Sequence, residues 1–215
     1  MKYEHILFDL DGTLSESGTG IINSFEYTLK THGVAYNKED LAKLVGPPLR
    51  DSMLEYLRDG HEVEDYIKTY REYYGRQGIF ENDMYPGIKE MLEKFAAAGY
   101  KLHIASSKPI PYIEKVLKFF GIFEFFVFIG GDNMEGGRGN KKDIINYVID
   151  GANITNKDRV IMVGDRKYDI IGARECSVES MGVLFGYGSR EELEEAGAKY
   201  IAETPQQIWE IISRQ

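Results

Sequence analysis

The short apolar run Ile6-Leu7-Phe8, closing on Asp9-Leu10-Asp11-Gly12-Thr13-Leu14, constrains this chain more than any other feature. An apolar run of this kind reads as a strand. Two carboxylates at i and i+2 where it ends point to the same side, because strand side chains alternate with period 2. Such crowding is costly unless a cation offsets it. Gly12 then permits a tight turn and close approach of backbone to a ligand, with Thr13 beside it. The run therefore predicts a sheet that carries a charged ligand site at the carboxyl end of its first strand.

The rest of the chain supports that sheet. Candidate strands cover residues 3–10, 101–106, 125–129, 159–163 and 180–183, with a weaker edge at 199–201. Helical patterns lie between them at 88–98, 110–120, 142–149, 169–175, 190–196 and 205–213, several stopping at a glycine that fits a left-handed cap. Alternation of this kind signals an α/β fold with a parallel sheet. Residues 17–83 break the alternation. Their apolar residues fall at helical spacing, in stripes such as Ile21, Ile22, Phe25, Leu29 and Tyr66, Ile67, Tyr70, Tyr73, Tyr74. The expected domains are 1–16 with 84–215, and a small all-helical insertion at 17–83. Seven of the fifteen tyrosines lie in the insertion, and their i, i+4 spacing reads as a buried helix face before it reads as a base-stacking platform.

Composition removes several classes. With 215 residues, 43% of them hydrophobic, the chain has enough apolar surface for a full core. A net charge of −9 disfavours nucleic acid or an anionic membrane as partner. The single cysteine, Cys176, has no internal disulfide partner. No signal-peptide pattern and no membrane-length apolar stretch are present, so the expected location is the cytoplasm. The expected state is a monomer or weak homodimer.

Three further stretches follow the opening motif in order. Leu102-His103-Ile104-Ala105-Ser106-Ser107-Lys108-Pro109 is a short apolar strand closing on hydroxyls. Gly139-Asn140-Lys141-Lys142-Asp143 puts a lysine just before a helical pattern. Val160-Ile161-Met162-Val163-Gly164-Asp165-Arg166-Lys167-Tyr168-Asp169 is a buried-type strand followed by two spaced acids. Singly, each has a bland reading, since a serine ending a strand or a lysine before a helix is usually solvated. Together they resemble the four motifs of the haloacid dehalogenase-like hydrolases, a superfamily dominated by magnesium-dependent phosphatases.

The resemblance implies a Rossmann-like three-layer core with a parallel sheet, and a helical cap inserted after the first strand. It makes Asp9 the nucleophile that attacks phosphorus and Asp11 the general acid and base. Ser106 would hydrogen-bond the phosphoryl oxygens, and Lys141, chosen over Lys142, would clamp them. Ser107, Gly12 and Thr13 join the substrate contacts. Magnesium would be held by Asp9, Asp165 and the Asp11 backbone carbonyl, with Asp169 on the metal or one water away. The cap would close over the site and read the leaving group, and Arg50, after the Gly46-Pro47-Pro48 break, is the candidate contact there. The expected partner is a small phosphorylated metabolite. Segments 70–82 and 85–88, with Gly136-Gly137-Arg138, resemble the 5′-nucleotidase-like subgroup, which ranks a nucleoside monophosphate ahead of phosphoglycolate and pyrophosphate.

Rival readings differ at single features. A dehalogenase does not need an acid at position 11, and a phosphonate hydrolase wants a Schiff-base lysine from the cap. A sugar phosphomutase keeps every residue named and differs in excluding water from the intermediate. A non-catalytic binding module goes with lost catalytic residues, and all of the expected ones are present.

Overall fold

The computed structural model describes residues 1–135, 137–138 and 140–215; Gly136 and Gly139, which the resemblance includes, lie outside the described residues. In chain order the elements are β1 (His5–Phe8), β2 (Ser15–Glu16), α1 (Gly18–Thr31), α2 (Leu49–Leu54), α3 (Val63–Arg76), β3 (Asp83–Met84), α4 (Ile88–Ala97), β4 (Lys101–Pro109) and α5 (Ile110–Phe119). There follow β5 (Phe126–Asp132), α6 (Lys141–Gly151), β6 (Val160–Gly164), α7 (Lys167–Glu175), β7 (Glu179–Val183), α8 (Arg190–Glu195), β8 (Tyr200–Ala202) and α9 (Pro205–Ser213). Contacts divide the chain into two compact units, Met1–Ser15 with Met84–Gln215, and Glu16–Asp83.

The first unit is an α/β fold around a six-stranded parallel sheet ordered β5-β4-β1-β6-β7-β8. β1 lies between β4 and β6, with Phe8 in register with Ile104 on one side and Val163 on the other. Strand order reverses here, and open α/β sheets place ligands outside the carboxyl ends of strands at such a point. The apolar runs fit because helices cover the sheet. Ile6, Leu7, Phe8, Leu102, Ile104 and Val160–Val163 are all fully buried, and Ile144, Ile145 and Val148 of α6 pack against Leu7, Ala105 and Met162. Each such side chain contributes about 2 kcal/mol of burial free energy.

Two boundaries differ from the sequence expectation in ways that matter. β1 ends at Phe8 rather than at residue 10, because Gly12, with φ +82°, bends the chain into a turn. β4 runs on to Pro109 rather than stopping at Ser106, with a register shift against β5 between Ala105 and Pro109.

The second unit is helical. Phe25 of α1 packs edge-on against Tyr70 of α3 at 5.0 Å, and Tyr66, Tyr70 and Tyr74 line the buried face of α3. Tyr66, Tyr70 and Tyr74 are therefore core here, while Tyr73 of the same stripe is only half-buried. Among the described residues no helix is long and apolar enough to cross a membrane.

Candidate active site

Asp9 follows the last residue of β1, and its backbone N–H donates to Val163 O of β6 at 2.9 Å, which fixes the chain where it leaves the sheet. Its Oδ1 accepts from the Leu10 N–H at 2.7 Å and lies 2.8 Å from Lys141 Nζ. Asp11 sits in the turn rather than on the strand. There the Gly12 N–H donates to Ser15 O at 2.8 Å, so turn geometry, not strand alternation, directs the second carboxylate.

Asp165 follows β6 and is fully buried. Its Oδ1 accepts from Thr13 Oγ1 at 3.2 Å and its Oδ2 from the Tyr187 N–H at 2.8 Å. A Cβ at Gly12 would lie 2.2 Å from Asp165 Oδ2, so only glycine lets this turn approach the carboxylate. Gly12 and Thr13 thus support Asp165 directly. Asp169 lies in the first turn of α7, also fully buried, with Oδ2 accepting from the Arg166 N–H at 3.1 Å and Oδ1 2.7 Å from Lys141 Nζ.

Lys141 is the first residue of α6, capped by Asn140, whose side chain accepts from the Asp143 N–H at 2.9 Å. Its ammonium also donates to Ala105 O at 2.8 Å, whereas Lys142 is exposed. One helical step of about 100° separates the two side chains. Only the first points inward.

Electrostatics follow from burial and crowding. Burial works against the charged Lys141, but Asp169 and Asp9 outweigh it and hold its pKa above the usual lysine value. Burial raises the Asp165 carboxyl well above the usual carboxylate range, with Asp169 and Asp9 adding repulsion. Asp169 is pushed up to about 6, again by burial first, with Lys141 opposing. One oxygen from each of Asp9, Asp165 and Asp169 falls within 4.8 Å of the others. Asp9, Asp165 and Asp169 thus crowd three carboxyl groups around the single ammonium of Lys141. A divalent cation would relieve that crowding, and an all-oxygen donor set suits magnesium.

Ser106 of β4 is itself buried, and its Oγ accepts from the Lys108 N–H at 3.4 Å. Ser107 is half-buried between them. Asp9, Asp11, Ser106, Lys141, Asp165 and Asp169 thus all stand at the carboxyl ends of β1, β4 and β6 or on the helices that follow β5 and β6. Arg50 lies in the helical unit, exposed, with Nη1 2.6 Å from Glu64 Oε1. Two features escape a reading of the sequence. Lys108 donates to Asp11 Oδ1 at 2.6 Å, and the only trace of this is its i, i+2 spacing from Ser106. The Tyr187 N–H that holds Asp165 comes from backbone and has no side-chain signature.

Comparison with known proteins identifies the family and the fold. Residues 6–183 match the family described as haloacid dehalogenase-like hydrolase. A 5′-nucleotidase of Pseudomonas aeruginosa is 34% identical, over 90% of this chain and 88% of that protein. The tyrosine-protein kinase PtkA of Mycobacterium tuberculosis is 33% identical, over 91% of this chain and 67% of that protein. The crystal structure of a predicted phosphatase from Clostridium acetobutylicum superposes with a TM-score of 0.93, at 37% identity and with all of both chains covered.

Proposed function

The chain belongs to the haloacid dehalogenase-like hydrolases and is a phosphatase of that family, and from that premise we propose a magnesium-dependent phosphatase that works through an aspartyl-phosphate on Asp9. The observation that carries this reading is the pairing of Asp9 with the buried Lys141 beside Asp165 and Asp169. Magnesium, held by Asp9, Asp165 and the Asp11 carbonyl with Asp169 behind them, would supply a Lewis acid that offsets repulsion between the attacking carboxylate and the phosphate.

The chain's own groups divide the work. An Asp9 oxygen attacks phosphorus, and the bond from phosphorus to the ester oxygen breaks while Asp11 gives its proton to that oxygen. Lys141 and the Ser106 hydroxyl donate to phosphoryl oxygens, where transition-state charge is spread. Water then attacks phosphorus, Asp11 takes its proton, and cleavage of the bond from phosphorus to Asp9 frees phosphate and restores the carboxylate.

For the substrate we propose a nucleoside 5′-monophosphate, ahead of phosphoglycolate and pyrophosphate. The likeness to the Pseudomonas 5′-nucleotidase over most of both chains supports that order. Selectivity is assigned to the helical unit, with Arg50 as the residue to test. A screen of phosphorylated metabolites with magnesium decides the substrate. Turnover of nucleoside monophosphates at least tenfold above the other classes, abolished in Asp9→Asn, is the expected result. Incubation with ATP and detection of phosphotyrosine tells this reading from the activity that the name of the PtkA relative carries.

A further inference from the structure

Lys108 extends from the end of β4 into the same site, and nothing in the proposed reaction yet uses it. Its Nζ donates to Asp11 Oδ1 at 2.6 Å, with side-chain exposures of 6% for the lysine and 18% for the aspartate. The backbone that delivers it is built for the purpose. β4 continues past Ser106 through a register shift against β5, and Pro109 restrains the residue before it to extended conformations. A Cβ at Gly131 of β5 would lie 2.6 Å from Lys108 O, so glycine is what allows β5 to pack against this segment. Residues 106 and 108, two apart, then lie on one side as in a strand.

A buried ion pair contributes little net stability, because desolvation of both charges offsets their attraction. Stability alone therefore gives no account of a nearly enclosed lysine on Asp11. Asp11 stands in a turn, and the Lys108 ammonium meets its carboxylate there. Proton transfer at two successive steps needs that carboxyl held in one orientation, and a group displaced by about 1 Å costs on the order of 100-fold in rate. We propose that Lys108 is the positioning residue for Asp11: its ammonium holds Oδ1 and leaves Oδ2 as the oxygen that gives up and takes back the proton. This rests on the reading of Asp11 as acid and base given above. Lys108 neither gains nor loses a proton in the cycle.

The test is single-turnover rapid quench with p-nitrophenyl phosphate and with an alkyl phosphate that the wild type turns over. Nitrophenolate departs without needing a proton, so in Lys108→Met its release stays within about threefold of wild type, while hydrolysis of the aspartyl-phosphate slows on the order of 100-fold and the adduct accumulates. With the alkyl ester both steps slow. Lys108→Arg, which keeps a donor to Oδ1, restores most of the loss. Thermal unfolding accompanies each variant, and Lys108→Gln replaces Lys108→Met if the latter does not fold. Equal slowing of both steps with p-nitrophenyl phosphate, or a rise in KM alone, overturns the assignment. A wild type that forms no adduct overturns the covalent reading itself.

Discussion

Lys141 Nζ lies 2.8 Å from Asp9 Oδ1, at the point where α6 begins and β1 has just ended. The same ammonium lies 2.7 Å from Asp169, so one cation holds two carboxylates that would otherwise repel each other in a buried space. Lys141→Met is therefore expected to lower kcat by on the order of 100- to 1,000-fold. Without magnesium it should also destabilise the fold by about 3 kcal/mol, because buried carboxylates lose their partner. Steady-state kinetics and urea unfolding with and without magnesium measure both effects.

Metal binding should depend on pH with a definite sign. Asp169 is raised from an ordinary value of 3.8 to about 6, so between those values the folded state holds a proton that the unfolded chain releases. Its contribution to metal-free stability is full below the lower value and is lost as pH rises through about 6. Magnesium binding to the ionised form would restore that loss. The rise in Tm on adding magnesium is expected to be larger at about pH 7.5 than at about pH 5.

Much of this site is legible in the sequence, and the reasons are physical. Strands buried on both faces read as unbroken apolar runs, so the ends of β1, β4 and β6 can be placed to within a few residues, and with them Asp9, Ser106 and Asp165. The choice between Lys141 and Lys142 depends on helical phase at a capped terminus, which an isolated Lys-Lys pair does not fix. Lys108 is illegible for a different reason. A lysine after a strand is ordinarily solvated, and only the extension of β4 beyond Ser106, made possible by small Gly131 on the neighbouring strand, carries it to Asp11.

At the amino-terminal end of the sheet the pair His5 and His103 gives a separate handle on stability. His5 Nδ1 and His103 Nε2 are 3.0 Å apart. Burial, aided by His5 and Lys101, lowers the His103 pKa from 6.5 to about 3. The neutral ring is thus favoured in the fold, and stability is lost as pH falls from the higher value toward the lower, where the unfolded chain binds the extra proton. Substitution of His103→Leu should flatten the fall of unfolding free energy with acid by up to about 1.4 kcal/mol per pH unit, read from urea titrations between about pH 4 and 6.

Arg50 tests the division of labour between the two units. Its ion pair with Glu64 is exposed on both sides, so Arg50→Ala is expected to leave Tm unchanged. It should alter the ranking of phosphate esters while sparing p-nitrophenyl phosphate. A uniform loss across all substrates, small ones included, would remove substrate reading from this residue.

The central claim is that Asp9 carries the phosphoryl group. Rapid acid quench during turnover with magnesium, followed by mass spectrometry of the peptide that contains Asp9, measures this directly. The predicted result is a phosphoryl adduct on that peptide, absent in Asp9→Asn and more abundant in Asp11→Asn, where hydrolysis of the intermediate is slowed. Turnover with no adduct at any quench time, and no burst of leaving group, would contradict it and leave Asp9 as a metal ligand for direct attack by water.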